Sequence, residues 1–233
     1  MRPANVRILA VALVAVAATA VGATACGGAD DAAAPSTTAK EFSGYTRTPA
    51  PSVAAVRLPG SDGSEVGFAA APGGLRLVYF GYTSCPDVCP TTLSDVKRAI
   101  AALPEADRSK VAVDMVTIDP ARDTAEKLSR YVTTFVPSGV AVRTDDDARL
   151  RTAARAFGAD YKVTPGANGT PEVAHTAELY GVDDQGLVVL IWPFGTSRED
   201  LARDIRRLLA GERPPGDPAA TSSTGTPSTA PAS

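Results

Sequence analysis

The stretch Leu75-Arg76-Leu77-Val78-Tyr79-Phe80-Gly81-Tyr82-Thr83-Ser84-Cys85-Pro86-Asp87-Val88-Cys89-Pro90 decides how this chain is read. Leu75 to Tyr82 is a short apolar run, the pattern of a strand buried in the middle of a sheet. It leads directly into two cysteines four apart, flanked by prolines. From Thr91 to Leu103, the residues Leu93, Val96, Ile100 and Leu103 recur at helical spacing. A strand therefore delivers a cysteine pair to the start of a helix. The 233 residues include three cysteines and one histidine, so few side chains can hold a soft metal or perform thiol chemistry.

The spacing of Cys85 and Cys89 constrains that chemistry. On a regular helix, residues four apart have Cβ atoms about 5–6 Å apart, whereas a disulfide needs about 3.5–4.5 Å. A metal with bonds to sulfur of about 2.3 Å, as for zinc, lets the two sulfurs stay apart. Pro86 and Pro90 lack an N–H and are tolerated only in a first helical turn. They predict a loose turn from Pro86 to Cys89, with the regular helix starting near Pro90. Such a turn would let the thiols close into a disulfide or open around a metal. A nearby helix N-terminus favours thiolate. A bridge closing so short a loop removes little unfolded-state entropy, which makes it a poor staple. The spacing leaves open a redox pair, a metal site, a structural bridge or two unconnected thiols. Three intervening residues, rather than the two usual in thioredoxin-like reductases, leave the pair more open to a metal.

The rest of the domain alternates strand and helix patterns. Val111 to Ile118 is a second buried strand, and Asp123 or Thr124 caps a helix carrying Leu128, Tyr131 and Val132. Val140 to Arg143 is a short strand, and Asp145 to Phe157 a helix with Leu150 and Phe157 on its buried side. Ala174 to Val182 and Leu187 to Trp192 read as strands joined by the turn Asp183-Asp184-Gln185-Gly186, where Gly186 can take positive φ. Ser197 caps a last helix running to Leu209. The opening β-α-β-α order implies parallel strands with right-handed crossovers. The closing hairpin and helix add antiparallel strands. The expected fold class is α/β, a thioredoxin-like layout with a central mixed β-sheet and helices on both faces.

His175 lies in Glu172-Val173-Ala174-His175-Thr176-Ala177, at the start of the strand before the hairpin. Alone, a strand histidine is usually a polar edge residue. Beside two thiolates it completes a set suited to copper, because cysteine sulfur selects Cu(I) and imidazole suits both copper oxidation states. Structural zinc is usually closed by four ligands, and the domain has no fourth Cys or His. Asp119 follows the second buried strand at the cysteine end of the sheet. It either orients the site from behind or serves as a turn residue paired with Arg122.

Outside the domain, residues 1–25 read as an export signal. Arg2 and Arg7 precede an apolar run from Ile8 to Val21, followed by small residues up to Cys26. The run is short for a membrane span of about 20 residues. The small residues before Cys26 resemble the lipobox of bacterial lipoproteins, which implies a lipid on Cys26. The usual Leu three residues before that cysteine is Ala23 here. Residues 26–50 read as a flexible tether, 51–212 as the folded domain, and 213–233 as a disordered tail rich in Pro, Ser and Thr. Without Arg2 and Arg7 the chain keeps 21 basic against 26 acidic side chains, with no basic stripe for nucleic acid. Two cysteines in an exported domain fit an oxidising compartment. The expected location is extracytoplasmic, lipid-anchored to the outer face of the bacterial cell membrane.

The stretch Tyr79 to Pro90 resembles the signature of the Sco/SenC family, membrane-tethered copper proteins of thioredoxin-like fold. Val116-Thr117-Ile118-Asp119-Pro120-Ala121-Arg122-Asp123-Thr124 resembles the family's second block. That block usually ends in proline, where Ala125 stands here. His175, followed by Leu179-Tyr180-Gly181-Val182-Asp183, occupies the family's histidine block. The resemblance spans about Pro51 to Leu209. It implies copper ligation by Cys85, Cys89 and His175. It also implies delivery of copper to the dinuclear copper site of cytochrome c oxidase subunit II, the work of a metallochaperone rather than an enzyme. The alternative is a thiol–disulfide oxidoreductase that uses Cys85 and Cys89 as a redox pair to reduce the cysteines of that oxidase site.

Overall fold

The computed structural model describes residues 41–166 and 169–215. In chain order its elements are β1 (Arg57–Pro59), β2 (Glu65–Gly67), β3 (Leu75–Gly81), α1 (Val88–Ala101), α2 (Glu105–Arg108), β4 (Val111–Thr117) and α3 (Ala125–Phe135). Then come β5 (Val140–Val142), α4 (Asp147–Phe157), β6 (Tyr161–Thr164), β7 (Glu172–His175), β8 (Leu179–Val182), β9 (Val188–Trp192) and α5 (Arg198–Leu209). Residues 1–25, Cys26 and most of segments 26–50 and 213–233 lie outside the described residues. Among the described residues, no helix is long and apolar enough to cross a membrane.

Five strands form a mixed sheet in the order β5-β4-β3-β8-β9. β3 pairs parallel with β4 from Leu75↔Val111 to Gly81↔Thr117, and β4 pairs parallel with β5. β8 is antiparallel to both β3 and β9. Successive residues of a strand point to opposite faces. The Tyr79 hydroxyl meets Cys89 of α1, while the next ring, Phe80, packs edge-on against Phe157 of α4 at 5.3 Å. Helices therefore cover both faces, and β3 and β4 read as continuous apolar runs because each is buried on both sides. α1 packs between α3 and α5. On the opposite face, Phe68, Phe80, Phe157 and Tyr180 form a set of edge-to-face pairs, each worth about 0.5–1.5 kcal/mol beyond its buried area.

Local signals set the boundaries. Thr124, Asp146 and Ser197 accept the backbone N–H groups of Lys127, Arg149 and Asp200, capping α3, α4 and α5. Gly186 turns the β8–β9 hairpin at φ +74. α1 starts at Val88, earlier than the prolines suggest. Pro90 sits in the first turn, where its missing N–H has no intrahelical partner to lose, and the Thr91 N–H makes a helical bond to the Asp87 carbonyl.

Two expectations change. The strand read from Ala174 to Val182 is two strands in two sheets. β8 is buried along its whole length, whereas Glu172 to His175 alternates between exposed and half-buried. That alternation suits the separate antiparallel ribbon β6–β7, with Tyr161 opposite His175. Second, the ordered domain begins before Pro51. Tyr45 and Ile191 exchange both backbone hydrogen bonds at 2.9 Å, and the Arg207 guanidinium lies 3.9 Å over the Phe42 ring. A Cβ on Gly44 would sit 2.6 Å from the Ile191 carbonyl, so only glycine lets this strap lie against β9. The end of the segment read as tether is thus packed.

Candidate metal centre

The cysteine turn follows β3 and is fixed from below by Asp123. This carboxylate is fully buried and accepts from the Thr83 N–H at 3.0 Å, from the Thr83 hydroxyl, and from the Thr117 hydroxyl at 2.7 Å. It joins the turn after β3 to the end of β4 and the start of α3. The sequence suggests Asp123 as a cap, but Thr124 caps and Asp123 holds the turn. The Asp119 carboxylate pairs with the Arg122 guanidinium, which in turn lies 5.8 Å from the centre of the Tyr82 ring. Asp119 is the turn residue paired with Arg122; its N–H also donates to the Thr117 hydroxyl at 3.1 Å, and its carbonyl accepts from the Asp123 N–H at 3.0 Å.

Cys85 is partly exposed, Cys89 is buried, and both are free thiols. The Cys89 N–H donates to the Cys85 sulfur at 3.3 Å. Burial alone would push the Cys85 thiol up, but hydrogen bonds from the Cys89 N–H, the Cys89 thiol and the Asp87 N–H outweigh it and hold the thiol below its ordinary value. Burial pushes Cys89 up to about 12, against the opposing effect of the Tyr82 backbone and the Tyr79 hydroxyl 3.5 Å away. One thiol is thus ready to ionise while its neighbour keeps its proton. Gly81 makes the close packing possible, because a Cβ there would stand 3.1 Å from both the Cys89 sulfur and the Met115 methyl. Tyr131 of α3 also faces the pair. Burial raises its pKa first, followed by the charges of Cys89 and Cys85.

His175 ends β7 rather than opening the strand before the hairpin. Its ring meets Tyr79 and Tyr82 edge-on, with centroids 6.1 and 6.0 Å apart. These two tyrosines, read from the sequence only as part of the buried run before the cysteines, form the common floor for the imidazole and the thiols. Nδ1 lies 3.1 Å from the Thr176 carbonyl. A carbonyl can only accept, so Nδ1 carries the hydrogen and Nε2 keeps a free lone pair. Burial lowers the pKa of His175, which favours the neutral ring a metal requires.

The donors present are two sulfurs and one imidazole nitrogen, a set that suits a soft ion such as Cu(I). Among the described residues, no three His, Cys, Asp or Glu side chains already stand at metal-holding distance. Cys26 lies outside the described residues.

A family model described as SCO1/SenC matches residues 46–210. A Stutzerimonas stutzeri protein named for copper binding is 32% identical over 147 residues, covering 59% of this chain and 67% of that one. The solution structure of apo Sco1 from Thermus thermophilus is 32% identical with a TM-score of 0.64, covering 73% of this chain and 99% of that chain. The structure of Bradyrhizobium japonicum ScoI with copper bound is 30% identical with a TM-score of 0.57, covering 65% and 96%. The chain spans roughly half to two thirds of the curated relatives it matches. The matched residues contain the cysteine turn, His175 and every element from β1 to α5, and the chain belongs to the SCO1/SenC family.

Proposed function

We propose that this protein binds copper through the thiolates of Cys85 and Cys89 and the Nε2 of His175. In this reading it passes the ion to the dinuclear copper site of cytochrome c oxidase subunit II, while a lipid on Cys26 holds it at the outer face of the membrane. The observation that carries the reading is geometric: the Cys89 N–H lies 3.3 Å from the Cys85 sulfur, the Tyr79 hydroxyl reaches Cys89, and Tyr79 and Tyr82 also hold the ring of His175, whose Nε2 is free. Membership of a family with copper-binding relatives supports the choice of metal.

The residues divide the work. Cys85 is the accessible thiol and meets the ion first. Cys89 then gives up its proton as its sulfur joins, so binding releases a proton and strengthens as pH rises. The Thr176 carbonyl holds Nδ1–H and leaves Nε2 for the ion. Tyr79 and Tyr82 wall the site from beneath and keep water off the inner sulfur. Oxidation to a Cys85–Cys89 disulfide removes both thiolates and with them the grip on copper.

Anaerobic copper titration of the reduced protein, with thiols counted before and after, tests the reading. One copper per chain is expected, bound only when both thiols are free. Full copper binding by Cys85→Ser would overturn it. The second reading is a thiol–disulfide oxidoreductase that reduces the cysteines of the oxidase site. The unequal acidity of the two thiols favours it, because such a pair suits attack by one sulfur and resolution by the other. Function that survives His175→Ala but not loss of either cysteine would select that reading.

A further inference from the structure

We propose that Glu178, gripped by Tyr45 and Arg47 of the N-terminal strap, is a positioning residue for His175. The inference rests on the copper reading for its purpose, but its physical content concerns the metal-free protein.

His175 and β8 belong to different sheets. The three residues Thr176, Ala177 and Glu178 join them, and this short loop is pinned at both ends. At its first residue, the Thr176 N–H donates to the Asp160 carbonyl at 2.9 Å, and the Asp160 N–H donates to the Thr176 hydroxyl at 3.0 Å. At its last, the Glu178 carboxylate accepts from the Tyr45 hydroxyl and from the Tyr180 hydroxyl at 2.8 Å. Arg47 stands 3.6 Å from the same carboxylate, and another nitrogen of its guanidinium donates to the Gly158 carbonyl at 3.0 Å. Three side chains from two separate segments thus converge on one mostly buried carboxylate.

The loop also carries the Thr176 carbonyl that accepts from Nδ1 of His175. That acceptor decides which ring nitrogen bears the hydrogen and how the ring is turned. Both pins are needed to fix the carbonyl, because a three-residue connection held at one end alone can still rotate its peptide planes. The pin at Thr176 belongs to the ribbon itself, continuing the β6–β7 pairing one residue past Tyr161 and His175. The pin at Glu178 comes from the strap, whose Tyr45 backbone is itself bonded to Ile191 of β9. Seating of the strap against β9 is therefore transmitted, through Glu178 and the loop, to the imidazole that presents Nε2.

The chain has a single histidine, so its ring can be read without ambiguity. The experiment is ¹⁵N NMR of that ring in the full chain, detergent-solubilised, reduced and metal-free, followed by anaerobic copper titration of the same samples. Wild type is expected to show the neutral Nδ1–H tautomer. Tyr45→Phe and Glu178→Ala are expected to move the ring toward a mixture of tautomers and to weaken copper binding by about tenfold, the lower end of what outer-layer partners of metal ligands contribute. Glu178→Gln keeps an acceptor oxygen and is expected to restore most of the wild-type signal. Unchanged ring shifts in Tyr45→Phe, with the near-ultraviolet signature of Trp192 intact, would overturn the proposal, and would do so even where Glu178→Ala fails to fold. Altered ring shifts together with copper binding indifferent to His175→Ala would uphold the positioning role while removing the copper reading.

Discussion

The Cys89 N–H donates to the Cys85 sulfur across 3.3 Å, so the acidity of Cys85 depends on where Cys89 stands in the first turn of α1. Charge on Cys85 is stabilised by the same residue whose own thiol is buried and held protonated.

Alkylation of the reduced protein should therefore be strongly ordered. The Cys85 pKa lies below its ordinary value and that of Cys89 is pushed up to about 12. Only thiolate reacts, and at pH 8 the thiolate fraction favours Cys85 by roughly a thousandfold or more. The lower intrinsic nucleophilicity of the more acidic thiolate offsets part of this, so Cys85 should be modified on the order of a hundredfold faster than Cys89. Iodoacetamide labelling followed by peptide mapping measures this. Equal rates would show that the two thiols do not differ in the way their surroundings require.

Gly81→Ala should damage the site from behind. The new methyl would meet the Tyr79 ring at 2.6 Å and the Cys89 sulfur at 3.1 Å. Overpacking of this kind costs about 1–3 kcal/mol. Urea unfolding of the reduced protein should show a loss in that range, with weaker copper binding. An unchanged midpoint would mean that Tyr79 moves aside freely.

Asp123→Ala removes the acceptor of three hydrogen bonds at once. Stranded donors of this kind make a loss of about 3 kcal/mol the expected outcome. The Thr83 amide should also lose its protection from hydrogen exchange. Preserved protection at Thr83 would argue that the cysteine turn holds itself.

Asp114 gives a pH-dependent case remote from the thiols. Burial pushes its carboxyl up to about 6, against the pull of the Arg76 guanidinium 2.7 Å away. The folded state therefore holds this proton more tightly than the unfolded chain, and this group's contribution falls as pH rises from about 4 to about 6. Arg76→Met removes the pull, raises the folded pKa further and extends the decline toward neutral pH. The variant should lose about 3 kcal/mol at pH 7 and less at pH 5. Chemical denaturation at the two pH values decides it, and an equal loss at both would exclude Asp114 as the cause.

The elements that sequence makes legible are those with enough length to show a period. β3, β4, α1, α4 and α5 carry their burial in their spacing, and Thr124 and Ser197 announce their caps. β1 and β2 have three residues each, too few to display a pattern. Glu172 to Val182 misleads because an alternating strand and a wholly buried one stand three residues apart. Cys85, Cys89 and His175 are conspicuous because their residue types are scarce. Asp123 and Glu178 are not, because ordinary carboxylates acquire their roles from partners 40 and 133 positions away. Tyr79 and Tyr82 read as core aromatics, and only the placement of β7 shows that they share the histidine.

The strap bears on where the protein can work. With a lipid on Cys26 as proposed, the polypeptide up to Glu41 has a contour of about 50 Å at full extension. From Phe42 onward the chain is committed to the domain and adds no slack. Because the strap enters beside the histidine loop, the thiols would patrol a layer of bounded height above the bilayer. An acceptor site presented beyond that layer would be out of reach, however well its surface matched.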